Sequence, residues 1–468
     1  MAQWARFEWK EPLFDNADES ILRVAPAAAE NVYANRAGGF SRFPGLLPWL
    51  SLPSAGRVYV HNWRGNLIAV TQSGRIFRIG REPERVQDVT GTTLSGGKRP
   101  VFTGTEDELV IAAGGPLLRV ARDRSEELSD TAPPSTHAAF IDGFLIAIEP
   151  YSGRFWYSNP GDYRVWEDLS VFTAEGKPDD LNSCIVTPYR ELLLGGVDSI
   201  EQFERLQSGD RPFYRRWATG EGIAEPYTLV ADVAGTYGVN DKREFVRFSS
   251  QISREMSENI AMSLEAVDDW TDAWAETLAV AGQRFVLLQA PSARNFYGTK
   301  GVTFLFDYRT RRWSFLWGWD LAAATPARWP GWSLTHAFGR TFVGVEDGIA
   351  VLDMETRENI GQMQRALIRS GHVDDWGPSR IDNVRVRLKR GLGAHGAKPP
   401  IVALRMIRDN ANPTSWAYRS LGQPGHSEMV IEFGAMGIAH TWQMEILLAD
   451  AADFQFVGAM ARVERVGW

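Results

Sequence analysis

Short segments of alternating apolar and polar residues, separated by tight turns, run along most of this chain. From Arg57 onward the pattern settles into RVYVHNW, LIAVTQ, RIFRIG and RVQDV, with breaks at Arg64-Gly65-Asn66 and Ser73-Gly74. Alternation over such short runs, joined by glycine-containing turns, indicates antiparallel strands connected as hairpins. This stretch therefore predicts one four-stranded antiparallel sheet.

Similar units recur downstream at intervals of roughly 40–50 residues, the repeat length of propeller blades. One such sheet cannot bury both of its faces alone, so several must pack around an axis. We count seven units, although the unit edges leave six or eight open. The pattern predicts an all-β fold with a β-propeller of about seven blades over residues 48–358. The units cover residues 57–89, 98–128, 137–169, 184–218, 227–253, 273–318 and 333–354.

The pattern of apolar and polar residues changes on either side of these units. After Glu358, segments such as RIDNVRVRLKRG, PIVALRMIRD and HTWQMEILL alternate over strand lengths, which predicts a C-terminal antiparallel β-sandwich at 359–468. Residues 1–47 are irregular, and we interpret them as an N-terminal arm. Within the propeller, residues 253–269 predict the one amphipathic helix, because Met256, Ile260, Leu264 and Val267 recur at helical spacing.

Composition sets the broad class. The chain has 468 residues, 44% hydrophobic and 23% charged, which is typical of a soluble folded protein with two or three domains. A net charge of −8 argues against non-specific nucleic-acid binding by a basic surface. The single cysteine, Cys184, excludes an internal disulfide and favours assembly in a reducing cytoplasm. We find no signal-peptide layout and no apolar run of membrane-spanning length, so no membrane contact is expected.

Catalytic motifs are absent from the sequence. It contains no Gly-x-Ser-x-Gly elbow, no His-Glu-x-x-His and no phosphate-binding glycine loop. The seven histidines lack metal-ligand spacing, and Cys184 at the start of an apolar strand is typical of a buried structural thiol. We therefore expect no catalytic residue, no metal and no cofactor.

Carboxylates and basic residues leave two alternatives open. A propeller glycosidase would need two carboxylates facing each other across a sugar, and we expect the available ones to brace turns or to lie at a solvated helix end. The basic residues could touch DNA phosphates, and we favour salt bridges for them because the total charge is acidic. The carboxylates are Asp162, Asp179, Asp180, Glu265, Asp268, Asp269 and Asp272, with Trp270 and Trp274 as sugar-stacking candidates. The basic residues are Arg215, Arg216, Arg311, Arg312, Arg385, Arg387, Lys389 and Arg390.

An ordered series of motifs lies in residues 156–213. It contains WYSNPGDY at 156–163, Trp166-x-x-Leu169, AEGKPD at 174–179, Arg190-Glu191-Leu192, GVDSIEQF at 196–203 and Pro212-Phe213. In order and spacing this series resembles the packaged-DNA stabilisation proteins, or tail accessory factors, of short-tailed phages. The turn DNANPTSW at 409–416 resembles one in the C-terminal domain of that family, although it lacks the glycine and second aspartate.

The resemblance implies a structural virion protein, the hub of a short phage tail, assembled in the host cytoplasm. Such a hub forms a homo-oligomeric ring, six copies as a rule, below the portal and its head-completion adaptor. It extends the channel for packaged double-stranded DNA, retains that DNA, and carries a tail needle or plug and tail fibres or spikes. DNA would pass close to the ring without sequence-specific contact.

The long loops at 159–182, 207–224 and 291–300 are candidates for contacts with neighbours in such a ring. Aromatic residues dominate contact energetics, although each aromatic residue here could instead belong to the small core of its own loop. The interface candidates are Tyr163, Trp166, Tyr214, Trp217, Phe296 and Tyr297. Two other functions stay open: a propeller that binds or hydrolyses glycans, and a cellular propeller scaffold that remains a monomer.

Overall fold

The chain folds as an all-β protein, a β-propeller followed by a C-terminal antiparallel sandwich. The computed structural model describes residues 2–7, 28–36, 39–53, 56–105, 107–121, 123–174, 179–206, 211–254, 256–257, 260–390, 399–409, 412–422 and 428–467. Helical structure in these residues comprises one α-helix, Ala261–Glu265, and one 3-10 turn, Pro226–Thr228. No helix in the described ranges has the length and apolar character needed to cross a membrane.

Six four-stranded antiparallel sheets form the blades of the propeller. Their strands run Val58–Trp63, Asn66–Thr71, Ile76–Ile79 and Val86–Asp88 in blade 1; Val101–Gly104, Leu109–Ala112, Leu118–Val120 and Ser125–Glu127 in blade 2; and Ala138–Ile141, Phe144–Ile148, Arg154–Tyr157 and Val171–Thr173 in blade 3. They continue with Leu181–Val186, Leu192–Gly196, Ile200–Arg205 and Phe213–Thr219 in blade 4; and Trp274–Val280, Gln283–Arg294, Lys300–Asp307 and Arg312–Phe315 in blade 5. Blade 6 contains Ser333–Ala337, Arg340–Val345, Gly348–Asp353 and Gly45–Ser51.

The blade count is six, and the prediction of seven was wrong. The predicted fifth unit, residues 227–253, forms only a three-stranded sheet of Val230–Asp232, Gly235–Val239 and Phe245–Phe248 between blades 4 and 5. Its expected fourth strand is reduced to a single bridge between Arg247 and Ser253. Two residues that pair only through one bridge cannot propagate a ladder, so this sheet does not complete a blade.

An N-terminal strand closes the propeller. Gly45–Ser51 pairs antiparallel with Gly348–Asp353 and becomes the outermost strand of blade 6. Blade 6 then packs on blade 1 through a shared core that includes Val58, Val60 and Phe342. Separate apolar cores likewise lie between the other consecutive sheets, so each sheet buries both of its faces.

The sandwich consists of two sheets packed around one core that includes Phe433, Trp442 and Phe456. Segment 1–47, interpreted from the sequence as an arm, supplies strands to both sheets. The first sheet contains Gln3–Arg6, Val32–Ala34, Phe40–Arg42, Ser379–Arg390, Glu428–Phe433, Gly437–Ala439 and Phe454–Arg465. The second contains Ala28–Glu30, Ala366–Arg369, Ile401–Arg408, Asn412–Pro413, Ala417–Ser420 and Trp442–Leu448, and it continues into blade 5 through Ala28–Glu30. Two short hairpins lie at the junction, Trp317–Asp320 with Thr325–Arg328 and Glu358–Asn359 with Gln362–Met363.

A buried arginine joins the propeller to the sandwich. The Arg42 side chain is 1% exposed and donates hydrogen bonds to the backbone carbonyls of Arg357, Gln364, Asp450 and Ala452. Burial lowers its pKa to about 9, which still leaves the guanidinium charged at neutral pH. These carbonyls belong to the linker and to the C-terminal loop, so one charged group holds three segments of chain together.

The predicted helix at 253–269 is much shorter in the described residues. The helix Ala261–Glu265 follows Ser253, whose backbone pairs with Arg247 instead of entering a helix. At its other end, the carboxylate of Asp268 accepts the Arg294 backbone N–H at 2.8 Å, which holds that segment against blade 5. The predicted apolar face is nevertheless buried, since Met256, Ile260, Leu264 and Val267 all lie in one core, while residues 255, 258 and 259 fall outside the described part.

Candidate functional site

A cavity of about 700 Å³ lies where the innermost strands of the sheets converge on the propeller axis. In a propeller, each blade turns its first strand toward the axis, so residues far apart in sequence meet there. The wall is half apolar and half polar. Its main side chains are Val60, His61, Phe102, Thr103, His137, Phe140, Cys184, Ile185, Tyr227, Thr277, Leu278, His336 and Thr341.

An ion pair forms the inner end of the cavity. The Arg99 guanidinium lies 2.6 Å from a Glu276 carboxylate oxygen and also donates to the Trp332 carbonyl at 2.6 Å. It is stacked over the rings of Tyr59 and Trp274, 5.2 and 4.4 Å from their centroids. The second Glu276 oxygen accepts the Leu334 backbone N–H. Both charges are thus satisfied from several directions, which a buried ion pair requires.

This inner end adjoins a second cavity of about 270 Å³. Arg99, Pro100 and Tyr227 line both cavities, so they lie at the boundary between the two spaces. The other end of the larger cavity is flanked by Asp232 and Arg284, which form an ion pair at 2.8 Å.

Two histidines in the wall are neutral at physiological pH. His137 stacks on Tyr227 with ring centroids 4.8 Å apart, and burial lowers its pKa to about 3 even though a hydrogen bond to the backbone of Pro226 favours the charged form. His61 stacks on Phe102 with centroids 5.0 Å apart, and burial lowers its pKa to about 4. Both imidazoles therefore act here as polar, uncharged rings.

Cys184 also lies in the wall, where it is buried. Burial raises the pKa of its thiol to about 12, so the thiolate is scarce at neutral pH. The chemistry of the cavity is consequently that of hydroxyls, neutral imidazoles, a neutral thiol and compensated ion pairs. No group of three or more histidine, cysteine, aspartate or glutamate side chains among the described residues has metal-binding geometry.

Two of the six interface candidates lie in the interior. Tyr163 and Trp166 are buried in the core between blades 2 and 3. The Tyr163 ring meets Phe140 edge-on with centroids 5.4 Å apart, and the Trp166 indole donates to the Tyr163 carbonyl at 3.0 Å. Both side chains thus belong to the core between two blades.

The other four candidates lie nearer the surface, at two separate places. Tyr214 is exposed and its hydroxyl donates to Glu204 at 2.7 Å, while Trp217 is half-buried beside the three-stranded sheet. Phe296 is 63% exposed and packs on Tyr297, whose hydroxyl bonds Glu30 and Arg365 in the junction with the sandwich. Tyr214 and Phe296 therefore remain available for a partner.

The candidate carboxylates bind the chain itself. Asp162 accepts the Arg164 backbone N–H at 3.3 Å, and Asp272 accepts the N–H and hydroxyl of Ser292 at 3.1 and 2.9 Å. Asp269 accepts the N–H and hydroxyl of Thr271, while Asp180 and Glu265 are exposed. Trp270 and Trp274 are buried. Of these candidates, Asp272 and Trp274 both line the smaller cavity, where the Asp272 carboxylate is already bonded to Ser292.

Two motifs of the 156–213 series meet in space. Asp179, at the end of the AEGKPD loop, accepts the Asp198 backbone N–H at 2.8 Å and the Ser199 hydroxyl at 3.1 Å. Gly196 leaves room for this contact, because a Cβ there would lie 2.3 Å from Asp179 Oδ2 and would displace the carboxylate. Residues 175–178 of the loop lie outside the described residues, as do 207–210 and the Asn410-Ala411 part of the 409–416 turn.

Several of the basic residues form salt bridges. Arg215 lies 3.4 Å from the buried carboxylate of Glu201, and Arg216 pairs with Glu204. Arg385 lies 2.7 Å from Glu432 and is stacked over Trp4. These pairs agree with the salt-bridge interpretation of the sequence.

Sequence reasoning missed the axial cavity. His61, His137 and His336 come from different blades, and no spacing in the sequence connects them. The available signal was the position of each histidine in the first strand of its predicted unit, since first strands face the axis. Aligning the first strands of the predicted units would have placed these three imidazole rings in one cavity.

Comparisons with known proteins return propellers. No protein-family model matches the chain, and no curated protein matches it. The extracellular domain of a one-component system from B. thetaiotaomicron is 10% identical, with a TM-score of 0.44, covering 86% of this chain and 62% of its own length. A streptogramin B lyase is 9% identical, with a TM-score of 0.43 and coverage of 66% and 97%. YCF48 from Cyanidioschyzon merolae is 9% identical, with a TM-score of 0.39 and coverage of 66% and 98%.

Proposed function

We propose that this chain is a structural virion protein, the hub ring of a short phage tail. The observation that carries the proposal is the ordered series of motifs at residues 156–213, which resembles the tail accessory factors. In this role the ring lies below the portal and its adaptor, extends the DNA channel, retains packaged DNA and supports the needle, fibres or spikes. The site of action is then a set of surfaces, with no catalytic residue.

Rigid joints within the subunit support this role. A ring that holds DNA under pressure must transmit force without bending, and every sheet of the propeller shares a core with its neighbours. At the junction, Arg42 ties the linker to the C-terminal loop. The Tyr297 hydroxyl of blade 5 hydrogen-bonds both Glu30 and Arg365 of the sandwich, which adds a second tie between sandwich and propeller.

Exposed apolar side chains on the loops also support it. Tyr151 and Leu169 are each 89% exposed, and Tyr189 and Phe296 are more than half exposed. Large apolar side chains presented on rigid loops are typical of contact surfaces. A cyclic ring needs two different complementary surfaces on each subunit, so loops at separate places suit it.

The acidic net charge of −8 is consistent with a channel wall that DNA must slide past. A basic wall would release counterions and hold the duplex, whereas an acidic one keeps it mobile. The DNA contact in this proposal is therefore proximity alone.

The oligomeric mass of the purified protein tests the proposal. We expect native mass spectrometry and negative-stain electron microscopy to show a ring of six copies, alone or on a ring of the adaptor protein. Leu169→Asp should weaken assembly, because Leu169 lies in the 159–182 loop, whereas Leu321→Asp changes another largely exposed leucine outside the three candidate loops. A monomer that stays monomeric with the adaptor would contradict the proposal and favour a cellular scaffold.

A further inference from the structure

We call the larger axial cavity the cup. Its inner end, which we call the floor, contains Arg99, Pro100 and Tyr227, and these residues also line the smaller cavity. Its mouth lies at the end where the first hairpin turns of the sheets meet, beside Asp232 and Arg284. Its volume of about 700 Å³ lies within the usual range of about 300–1,000 Å³ for ligand pockets.

Charges in the cup are compensated in pairs. Arg99 is matched by Glu276 at the floor, and Arg284 is matched by Asp232 at the mouth. The histidines do not alter this balance, because burial holds the pKa of His61 and His137 far below neutrality. A charged ligand would lose its hydration without meeting an uncompensated counter-charge, which is costly. The balance of charges therefore favours an uncharged occupant.

The remaining groups define what such an occupant needs. Thr103, Thr277 and Thr341 place hydroxyl-bearing side chains along the wall, and no hydrogen bond joins the His61 ring to another described residue. Phe102, Phe140, Ile185 and Leu278 supply apolar area between them. Hydroxyls and neutral imidazoles both donate and accept hydrogen bonds, so they match the hydroxyl groups of a ligand.

We propose that the axial cavity is a binding site for an uncharged organic molecule that combines an apolar face with several hydroxyl groups. The molecule enters past Asp232 and Arg284, lays its apolar face on the aromatic and aliphatic wall, and exchanges hydrogen bonds with His61 and the threonines. This site is separate from the contact surfaces of the proposed ring and does not depend on them.

Calorimetric titration of the intact protein tests the site. The probe is phenyl β-D-glucoside. Benzoate and benzylamine, which carry the same aromatic ring with a negative or a positive charge, are the charged comparison ligands, or charged arms. We expect saturable binding of the glucoside at one molecule per chain, at least about tenfold tighter than either charged arm. Binding of a charged arm as tight as the glucoside, or no saturable binding of the glucoside, would overturn the proposal.

Variants locate the binding within the cavity. Ala279 lines the cup and is exposed, so Ala279→Trp should fill the space and weaken binding at least about tenfold. Ala323→Trp changes an exposed alanine away from the cavity and should leave binding unchanged. His61→Phe keeps the ring stacked on Phe102 but removes its polar atoms, and should weaken binding roughly three- to tenfold. Unchanged binding in Ala279→Trp would also overturn the proposal.

Discussion

Acid should destabilise this protein through His137, the fully buried histidine of the axial cavity. Its pKa is about 3 in the folded chain, against about 6.5 in an unfolded one. A folded-state pKa below the unfolded value means that the unfolded chain binds more protons between these two pH values. The stabilisation is therefore complete above about pH 6.5 and is lost as the pH falls toward about 3.

The size of the effect follows from proton linkage. At pH 5.0 the unfolded imidazole is mostly protonated while the folded one remains neutral, which lowers the free energy of unfolding by about 2 kcal/mol relative to pH 7.5. His137→Gln removes the titrating group and keeps a donor where the ring meets the Pro226 backbone. We expect the difference between the free energies of unfolding at pH 7.5 and pH 5.0 to shrink by about 2 kcal/mol in this variant.

Urea unfolding at the two pH values, followed by tryptophan fluorescence, measures this difference. His336→Gln serves as the matched control, because His336 lines the same cavity but is exposed. If the His137→Gln variant loses as much stability on acidification as the unmodified chain, the burial argument for His137 is wrong.

Other substitutions test the ion pair, the junction and the interface candidates by the free energy of unfolding. Arg99→Met should cost about 1–3 kcal/mol by leaving the half-buried Glu276 carboxylate without its charged partner, and adding Glu276→Leu should restore part of the loss. Arg42→Met should cost at least about 3 kcal/mol because four buried carbonyls lose a charged donor, whereas exposed Arg81→Met should be nearly neutral. Trp166→Ala should cost about 3–5 kcal/mol, and Phe296→Ala less than about 1 kcal/mol, because only the first ring is buried; similar costs would contradict this placement.

Local turn chemistry made the blades predictable. In blade 1, Arg64, Gly65 and Gly74 take positive φ values of 48°, 72° and 80°, where the sequence had marked the breaks between strands. Glycine at such positions allows tight hairpins, so the strands on either side fall where the alternation puts them. The fifth unit failed as a blade because the last segment, at residues 251–253, pairs with the preceding strand only through the bridge between Ser253 and Arg247.

Long-range pairings were not predictable in the same way. Gly45–Ser51 completes a blade whose other strands lie some three hundred residues later in the chain. The sequence of Gly45–Ser51 alone does not indicate which strand it pairs with. Arg42 looks like an ordinary surface arginine in the sequence, and only the folded chain surrounds it with carbonyls. The axial cavity has the same origin, since closure of the ring assembles it from the first strand of each sheet.

The motifs that carry the family resemblance have a structural part in the fold. Trp166 fills the core between two blades, and Asp179 holds Ser199 beside Gly196, where a side chain would displace the Asp179 carboxylate. Replacing any of these residues would disturb the packing of the blades whatever the protein binds. The fold therefore constrains these motifs independently of the binding partner. Leu169 and Phe296 stand exposed on loops, and Phe296 covers the edge of a core at Phe315 and Trp317. A change of binding partner would therefore alter these exposed positions first, while Trp166 and Asp179 stayed the same, and this is why the assembly test changes Leu169.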